Sequence, residues 1–265
     1  MTLTHDVAGR GPAVVLVHSG VCDRRMWDGQ WQALVDGGWR VVRCDLRGFG
    51  GTPAADRAHS DADDVLDLMD ALGIARATLV GSSYGGKVAL ETAGRRPERV
   101  EALVLLCSAL SGHRPSDELR ALDEREDALL DAGDVAGATE LMVGTWLGPD
   151  ADDAARDALR RMQRHAYEVQ SAAPEEFDAI RHDVDLASLR MPALVVSGAH
   201  DLPDFQDIAV RLARTLPNAE HVRLPWAGHL PALERPDAVA ELLTGFLRRA
   251  VTARGAGTRS PGSGP

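Results

Sequence analysis

The chain has 265 residues, 45 % of them hydrophobic, which is enough for a large core and too apolar for a disordered protein. Its formal net charge is −11 and it holds no basic cluster, which argues against a nucleic-acid partner. Three cysteines (Cys22, Cys44 and Cys107) without a C-x-x-C make a poor disulfide framework. The start MTLTHDVAGRGP lacks a signal-peptide pattern and no apolar run is long enough to span a bilayer, so the expectation is a soluble cytoplasmic protein.

In chain order, residues 13–17 (AVVLV) read as a buried strand. Residues 26–35 read as a helix closed by Gly37 and Gly38, and residues 40–44 (RVVRC) as the next strand. Ser60 opens a helix, SDADDVLDLMDALG, with a serine cap, aspartates in the first turn and a terminal Gly73. A strand at 77–80 (ATLV) leads into a helix over 87–95, and residues 100–107 (VEALVLLC) form a further strand. Residues 192–197 and 220–224 read as strands, 205–215 and 236–249 as helices. Strands alternating with helices predict an α/β fold with a mostly parallel sheet. About one strand's worth of sequence precedes Ala13, so seven or eight strands are expected.

Between 110 and 189 the alternation stops, and charged, alanine-rich helical patterns take over. The predicted organisation is therefore a core of residues 1–110 and 189–252 with a helical cap at 111–188. The Gly/Ser/Pro/Arg-rich residues 253–265 are expected to be a disordered tail.

Chemistry concentrates in VGSSYGGKVAL. The pattern G-x-S-x-G places a serine on a sharp strand-to-helix turn. Ser83 has Gly81 and Gly85 at the required spacing, whereas Ser82 has Val80 and Tyr84. A serine in a glycine-rich turn can be merely structural, but the strand before and helix after Ser83 favour a nucleophile. Such a serine needs a base, and the base an orienter, in the chain order Ser, acid, His. Asp201 follows a strand in VVSGAHDLPD, with His200 and Asp204 as neighbours to exclude, and Asp204 suits a helix cap. His229 follows the last strand in LPWAGHLPALERP, a setting that His113, His165, His182, His200 and His221 lack. His165 and His182 fall in the insertion and suit solvent or a pocket rim. One oxyanion donor is expected to be the Tyr84 N–H, the other in the loop VHSGVCDRRMW.

On these residues the chain resembles the α/β-hydrolase fold family from Ala13 to about Arg249. The matches are His18 with Gly20, DLRGFGGT from Asp45, the turn at Ser83, GAHD ending at Asp201 and AGH ending at His229. The stretch SGVCDRRMWDGQW is similar to small esterases and enol-lactone hydrolases of that family. The resemblance implies Gly20 as the second oxyanion donor, with Val21 as the alternative. Ser19 is a departure, since the family commonly has His-Gly where this chain reads His18-Ser19-Gly20. DLRGFGGT lacks the phosphate-loop pattern and reads as a structural turn. Lys87, one helical turn past Ser83, is placed at the rim. Trp27 and Trp146 are candidate substrate-binding walls, with Trp226 a further possibility.

The expected function is a serine hydrolase cleaving a small ester or lactone through an acyl-enzyme, with a small-molecule acyl substrate as partner. No cofactor and no metal is expected, because no H-E-x-x-H or similar grouping occurs. C–C bond hydrolysis, thioester cleavage or acyl transfer, and a non-catalytic receptor on a hydrolase scaffold stay open. The sequence carries no signal of oligomeric state.

Overall fold

The computed structural model describes residues 2–175 and 177–257. Strands β1 (His5–Ala8), β2 (Ala13–Val17), β3 (Arg40–Cys44), β4 (Ala77–Ser82), β5 (Val100–Leu106), β6 (Ala193–Gly198) and β7 (Ala219–Leu224) form one sheet in the order β1-β3-β2-β4-β5-β6-β7. Only β1 runs antiparallel, against β3. The expectation of seven or eight strands resolves to seven among the described residues.

Around the sheet lie α1 (Asp28–Asp36), α2 (Asp61–Ala71), α3 (Tyr84–Arg95), α7 (Pro203–Thr215), α8 (Pro231–Glu234) and α9 (Pro236–Gly257). Helices α4 (Asp117–Asp131), α5 (Val135–Trp146) and α6 (Asp153–Ser171) fill the stretch between β5 and β6. Every residue of β2, β4 and β6 is buried, as expected for parallel strands covered on both faces. By contrast, β7 lies at the sheet edge and is part exposed throughout, so its residues alternate in character.

Local chemistry accounts for the helix starts. The Ser60 hydroxyl accepts the Asp63 N–H, and Asp61, Asp63 and Asp64 occupy the positive end of α2. Ser116, Asp134 and Asp152 cap α4, α5 and α6 in the same way. Two boundaries differ most from the sequence reading. Helix α3 starts at Tyr84 rather than 87, because the turn at Ser83 feeds straight into it. Helix α9 runs on to Gly257, past the expected end at 249 and into the start of the expected tail. The rest of that expected tail, residues 258–265, lies outside the described residues. No helix among them is long and apolar enough to cross a membrane.

Topology brings the site together. From β2 the chain steps to β3 on one side, then returns across β2 to β4 on the other. The strand order therefore reverses between β2 and β4, and in open α/β sheets ligands bind at the carboxyl ends beside such a reversal. Register aligns those ends. Val17 pairs with Gly81, Ser82 with Leu106, Leu106 with Val196, and Gly198 with Leu224. The loops that follow β2, β4, β5, β6 and β7 all leave from one edge.

Two glycines make the turn after β4 possible. A Cβ on Gly81 would lie 2.2 Å from the Gly85 carbonyl oxygen, and one on Gly85 would lie 2.3 Å from that of Val17. Both obstacles are backbone and cannot swing aside. Gly144 in α5 is exposed, with nothing within 4 Å of its virtual Cβ. Gly81→Ala is expected to lower stability by about 3 kcal/mol through overpacking. Gly144→Ala is expected to raise it by about 0.5–1 kcal/mol by removing backbone entropy from the unfolded chain. Urea unfolding followed by circular dichroism checks both signs.

Candidate active site

Ser83 sits between β4 and α3 at φ 51° and ψ −115°, a conformation that few side-chain-bearing residues adopt. Backbone bonds hold it there. Its N–H donates to the Leu106 carbonyl at 2.9 Å, and its carbonyl accepts from Gly86 at 2.9 Å, Lys87 at 3.2 Å and Ala109 at 2.9 Å. The hydroxyl is thereby aimed at His229, whose Nε2 lies 2.8 Å from Ser83 Oγ. The neighbouring Ser82 hydroxyl is buried and has no partner among the described residues.

His229 Nδ1 lies 2.8 and 2.9 Å from the two carboxylate oxygens of Asp201. An ionised carboxylate can only accept, so Nδ1 carries the proton and Nε2 is free to accept from Ser83. Asp201 also accepts the Leu202 N–H at 2.7 Å. The imidazole packs against both Phe205 and Trp146, with ring centres 4.1 and 4.5 Å away and planes tilted by 59° and 41°, and its backbone N–H donates to the Trp146 carbonyl at 3.0 Å. Ser83, Asp201 and His229 are thus brought together from three strand ends.

The other carboxylate is placed elsewhere. Asp204 does not cap α7, whose N-cap is Leu202. It bonds His113 Nε2 at 2.8 Å and accepts from the Ser116 N–H at 2.8 Å and hydroxyl at 2.6 Å, anchoring the start of α4. Although burial raises its pKa, the bonds from Ser116 and His113 hold it below the usual carboxylate range. His200 is exposed.

The loop after β2 is organised by His18, which is fully buried. Its Nε2 accepts the Leu46 N–H at 2.9 Å, so Nδ1 carries the proton and donates to the Ser19 carbonyl at 2.8 Å. Burial pushes its pKa down and keeps it neutral in this role. The Ser19 N–H points at the Met26 sulfur, and its carbonyl also accepts from Cys22 at 3.0 Å. The Ser19 hydroxyl has no partner among the described residues. This tight turn lays Gly20 against Tyr84, where a Cβ on Gly20 would sit 3.5 Å from Tyr84 Cβ. The Tyr84 N–H is the first of α3 and has no acceptor within the helix. Its phenol donates to Asp61 Oδ2 at 2.6 Å, and the Lys87 ammonium lies 4.1 Å from its ring centre. Asp45, opening DLRGFGGT, accepts from Arg24 and from the Gly51 N–H, the structural turn expected.

The two tryptophans separate. Trp146 packs against His229, but Trp27 has no exposed surface and is enclosed by the core, so it offers no wall to a ligand. Trp226 instead packs under Arg235. His165 binds the Gly50 carbonyl at 3.0 Å and lines a cavity of about 620 Å³ with Pro53, Ala54, Val169 and Phe177, away from Ser83. All three cysteines are buried and unbridged. Cys107, Asp201 and His229 are the one grouping of metal-ligating size among the described residues, with ligand atoms within 4.8 Å of one another. Asp201 and His229 are already bonded to each other, and burial beside Asp201 pushes the Cys107 thiol well up. Phe205 and Glu234 belong to the site and were not read from the sequence. Glu234 is signalled only as the acidic residue in the otherwise apolar LPALE that follows His229.

Residues 14–242 match the alpha/beta hydrolase family. A proposed carbamate hydrolase of Caulobacter vibrioides is 33% identical over 259 residues, covering 92% of this chain and 93% of that protein. A thermophilic esterase from Thermogutta terrifontis superposes with a TM-score of 0.77 at 28% identity, covering 94% of this chain and 93% of the esterase. The enol-lactonase from Burkholderia xenovorans superposes with a TM-score of 0.75 at 27% identity, covering 93% and 96%.

Since Asp201, not Asp204, orients His229, the two asparagine variants are expected to differ. Asp201→Asn reverses the preferred tautomer and should slow fluorophosphonate labelling of Ser83 by roughly 10⁴-fold. Asp204→Asn should leave the labelling rate nearly unchanged and lower the melting temperature instead. Labelling time courses with a melting curve for each variant make the comparison.

Proposed function

The chain belongs to the α/β-hydrolase family, and on that premise we propose that it is a serine hydrolase that cleaves a small ester or lactone through an acyl-enzyme on Ser83. The observation that carries this reading is the unbroken chain of hydrogen bonds Asp201–His229–Ser83, buried and ending on a serine in a strained turn. The similarity to an esterase and an enol-lactonase supports the substrate class.

In this mechanism His229 Nε2 takes the hydroxyl proton as Ser83 Oγ bonds to the acyl carbon. Asp201 stabilises the imidazolium that forms. The carbonyl oxygen gains a negative charge and is met by the N–H groups of Tyr84 and Gly20, with Val21 as the alternative to Gly20. His229 then hands its proton to the leaving alcohol as the acyl–oxygen bond breaks. Water repeats the sequence on the acyl-enzyme, giving the carboxylic acid and free Ser83. Nothing in these steps calls for a cofactor. The helices at 111–188 serve as a cap, and Trp146, packed against His229, is its wall nearest the chemistry.

A carbamate is a second substrate class, favoured by the 33% identity to the Caulobacter protein. Its acyl carbon would take the same path with a nitrogen-bearing acyl group.

Ser83→Ala is expected to abolish both fluorophosphonate labelling and turnover, while Ser82→Ala keeps labelling. Purified protein should hydrolyse short aryl esters or lactones, and EDTA should leave the rate unchanged. A panel of aryl esters, lactones, thioesters, carbamates and peptides ranks the classes. Cleavage of peptides alone would sink the ester reading, and wild-type protein that labels but turns over nothing points to a receptor.

A further inference from the structure

Glu234 ends the single turn α8 and is buried at 8 % exposure. None of the described residues gives it an ion pair, and its neighbour Arg235 pairs with Asp150 instead. Its partners are backbone N–H groups. Oε1 accepts from Gly228 at 3.1 Å and Leu230 at 3.2 Å, and Oε2 accepts from Gly228 at 3.0 Å and Gly148 at 3.1 Å. Gly228 and Leu230 flank His229, whose own N–H goes to Trp146. Three consecutive N–H groups around the histidine are therefore tied down, two by one carboxylate and one by residue 146.

Gly148 ties the same carboxylate to the residues just after α5. The packing there is backbone against backbone. A Cβ on Gly148 would lie 2.8 Å from the Gly228 nitrogen, and one on Gly228 would lie 2.4 Å from the Gly148 nitrogen. On the far side, a Cβ on Gly198 would lie 1.9 Å from the Gly228 carbonyl oxygen. The loop has no slack in either direction. A buried carboxylate with no cation is costly unless hydrogen bonds compensate it, and charge-assisted bonds to N–H groups are the strong kind.

We propose that Glu234 is the positioning residue of this active site: its carboxylate clamps the backbone on both sides of His229 to the insertion at Gly148, and so holds the imidazole in line with Ser83. Its negative charge also favours the imidazolium that His229 becomes during reaction. Burial pushes the Glu234 carboxyl up, against the pull of the bonds from Gly228, Gly148 and Leu230 and the nearby His229. The clamp makes the 146–148 stretch part of the catalytic geometry, since this stretch supplies the ring packed against His229, the acceptor for the His229 N–H and the Gly148 donor.

This inference rests on the reading of Ser83 and His229 as nucleophile and base. The test uses the full chain with Glu234→Gln, which keeps the shape but sets an amide NH₂ against backbone N–H donors. Three quantities are measured: the fluorophosphonate labelling rate per folded molecule, the melting curve, and the downfield proton signal of the His229–Asp201 hydrogen bond. A misplaced histidine should slow labelling roughly 100-fold and shift or broaden that signal in protein that is still folded. On any ester turned over, the loss should fall on kcat rather than KM. Labelling within about threefold of wild type with an unchanged proton signal overturns the proposal, even if the melting temperature drops. If the glutamine variant does not fold, Glu234→Asp decides by the same thresholds, since it keeps the charge and withdraws the carboxylate by one methylene. Wild-type protein that fails to label would instead overturn the nucleophile reading itself.

Discussion

Holding a side-chain-bearing residue at φ 51° costs on the order of 1–3 kcal/mol, and the structure around Ser83 is arranged to sustain that cost. Gly81 and Gly85 remove the atoms that would collide. The Ser83 carbonyl is shared among three N–H donors, and its N–H is fixed to β5. The same geometry opens α3 at Tyr84, leaving the first helical N–H without an acceptor within the helix. Strain, the direction of the Ser83 hydroxyl and the start of α3 are thus one feature of the backbone.

Around that turn, buried charge is matched to hydrogen bonds. Asp201 faces His229 and the Leu202 N–H, Asp61 faces the Tyr84 phenol, Asp45 faces Arg24 and Glu234 faces backbone. His18 is the complementary case, a histidine kept neutral by burial so that it can accept from the loop after β3 and donate within its own loop after β2. Each assignment fixes a loop at the carboxyl edge of the sheet. The insertion takes part through Asp204, which anchors Ser116 and His113, and through Trp146 and Gly148, which reach the histidine loop.

The turn at Ser83 was legible because its demands are local. Small residues two positions either side, a buried strand before and a helix after are all sequence neighbours. The choice between Ser82 and Ser83 therefore needed no third dimension. His229 was legible for a related reason, as a polar residue in a glycine-bearing loop between the last strand and a helix. Asp201 was legible only as a candidate, since Asp204 satisfied the same local pattern. Trp27 and Trp146 looked equivalent in the chain, yet one is enclosed by the core and the other packs against the histidine.

Sequence by itself determined the alternation of strands and helices, the serine cap of α2 and the strained turn at Ser83, and it offered candidates for acyl chemistry. These follow from steric and hydrogen-bonding rules that act over a few residues. Only the tertiary structure decided who meets whom. The bond from His229 to Ser83 spans 146 positions, and the bond from Gly148 to Glu234 spans 86. Such partners are selected by strand register and by the close approach of glycine backbones. Register depends on every buried side chain of the sheet at once, so no local pattern encodes it.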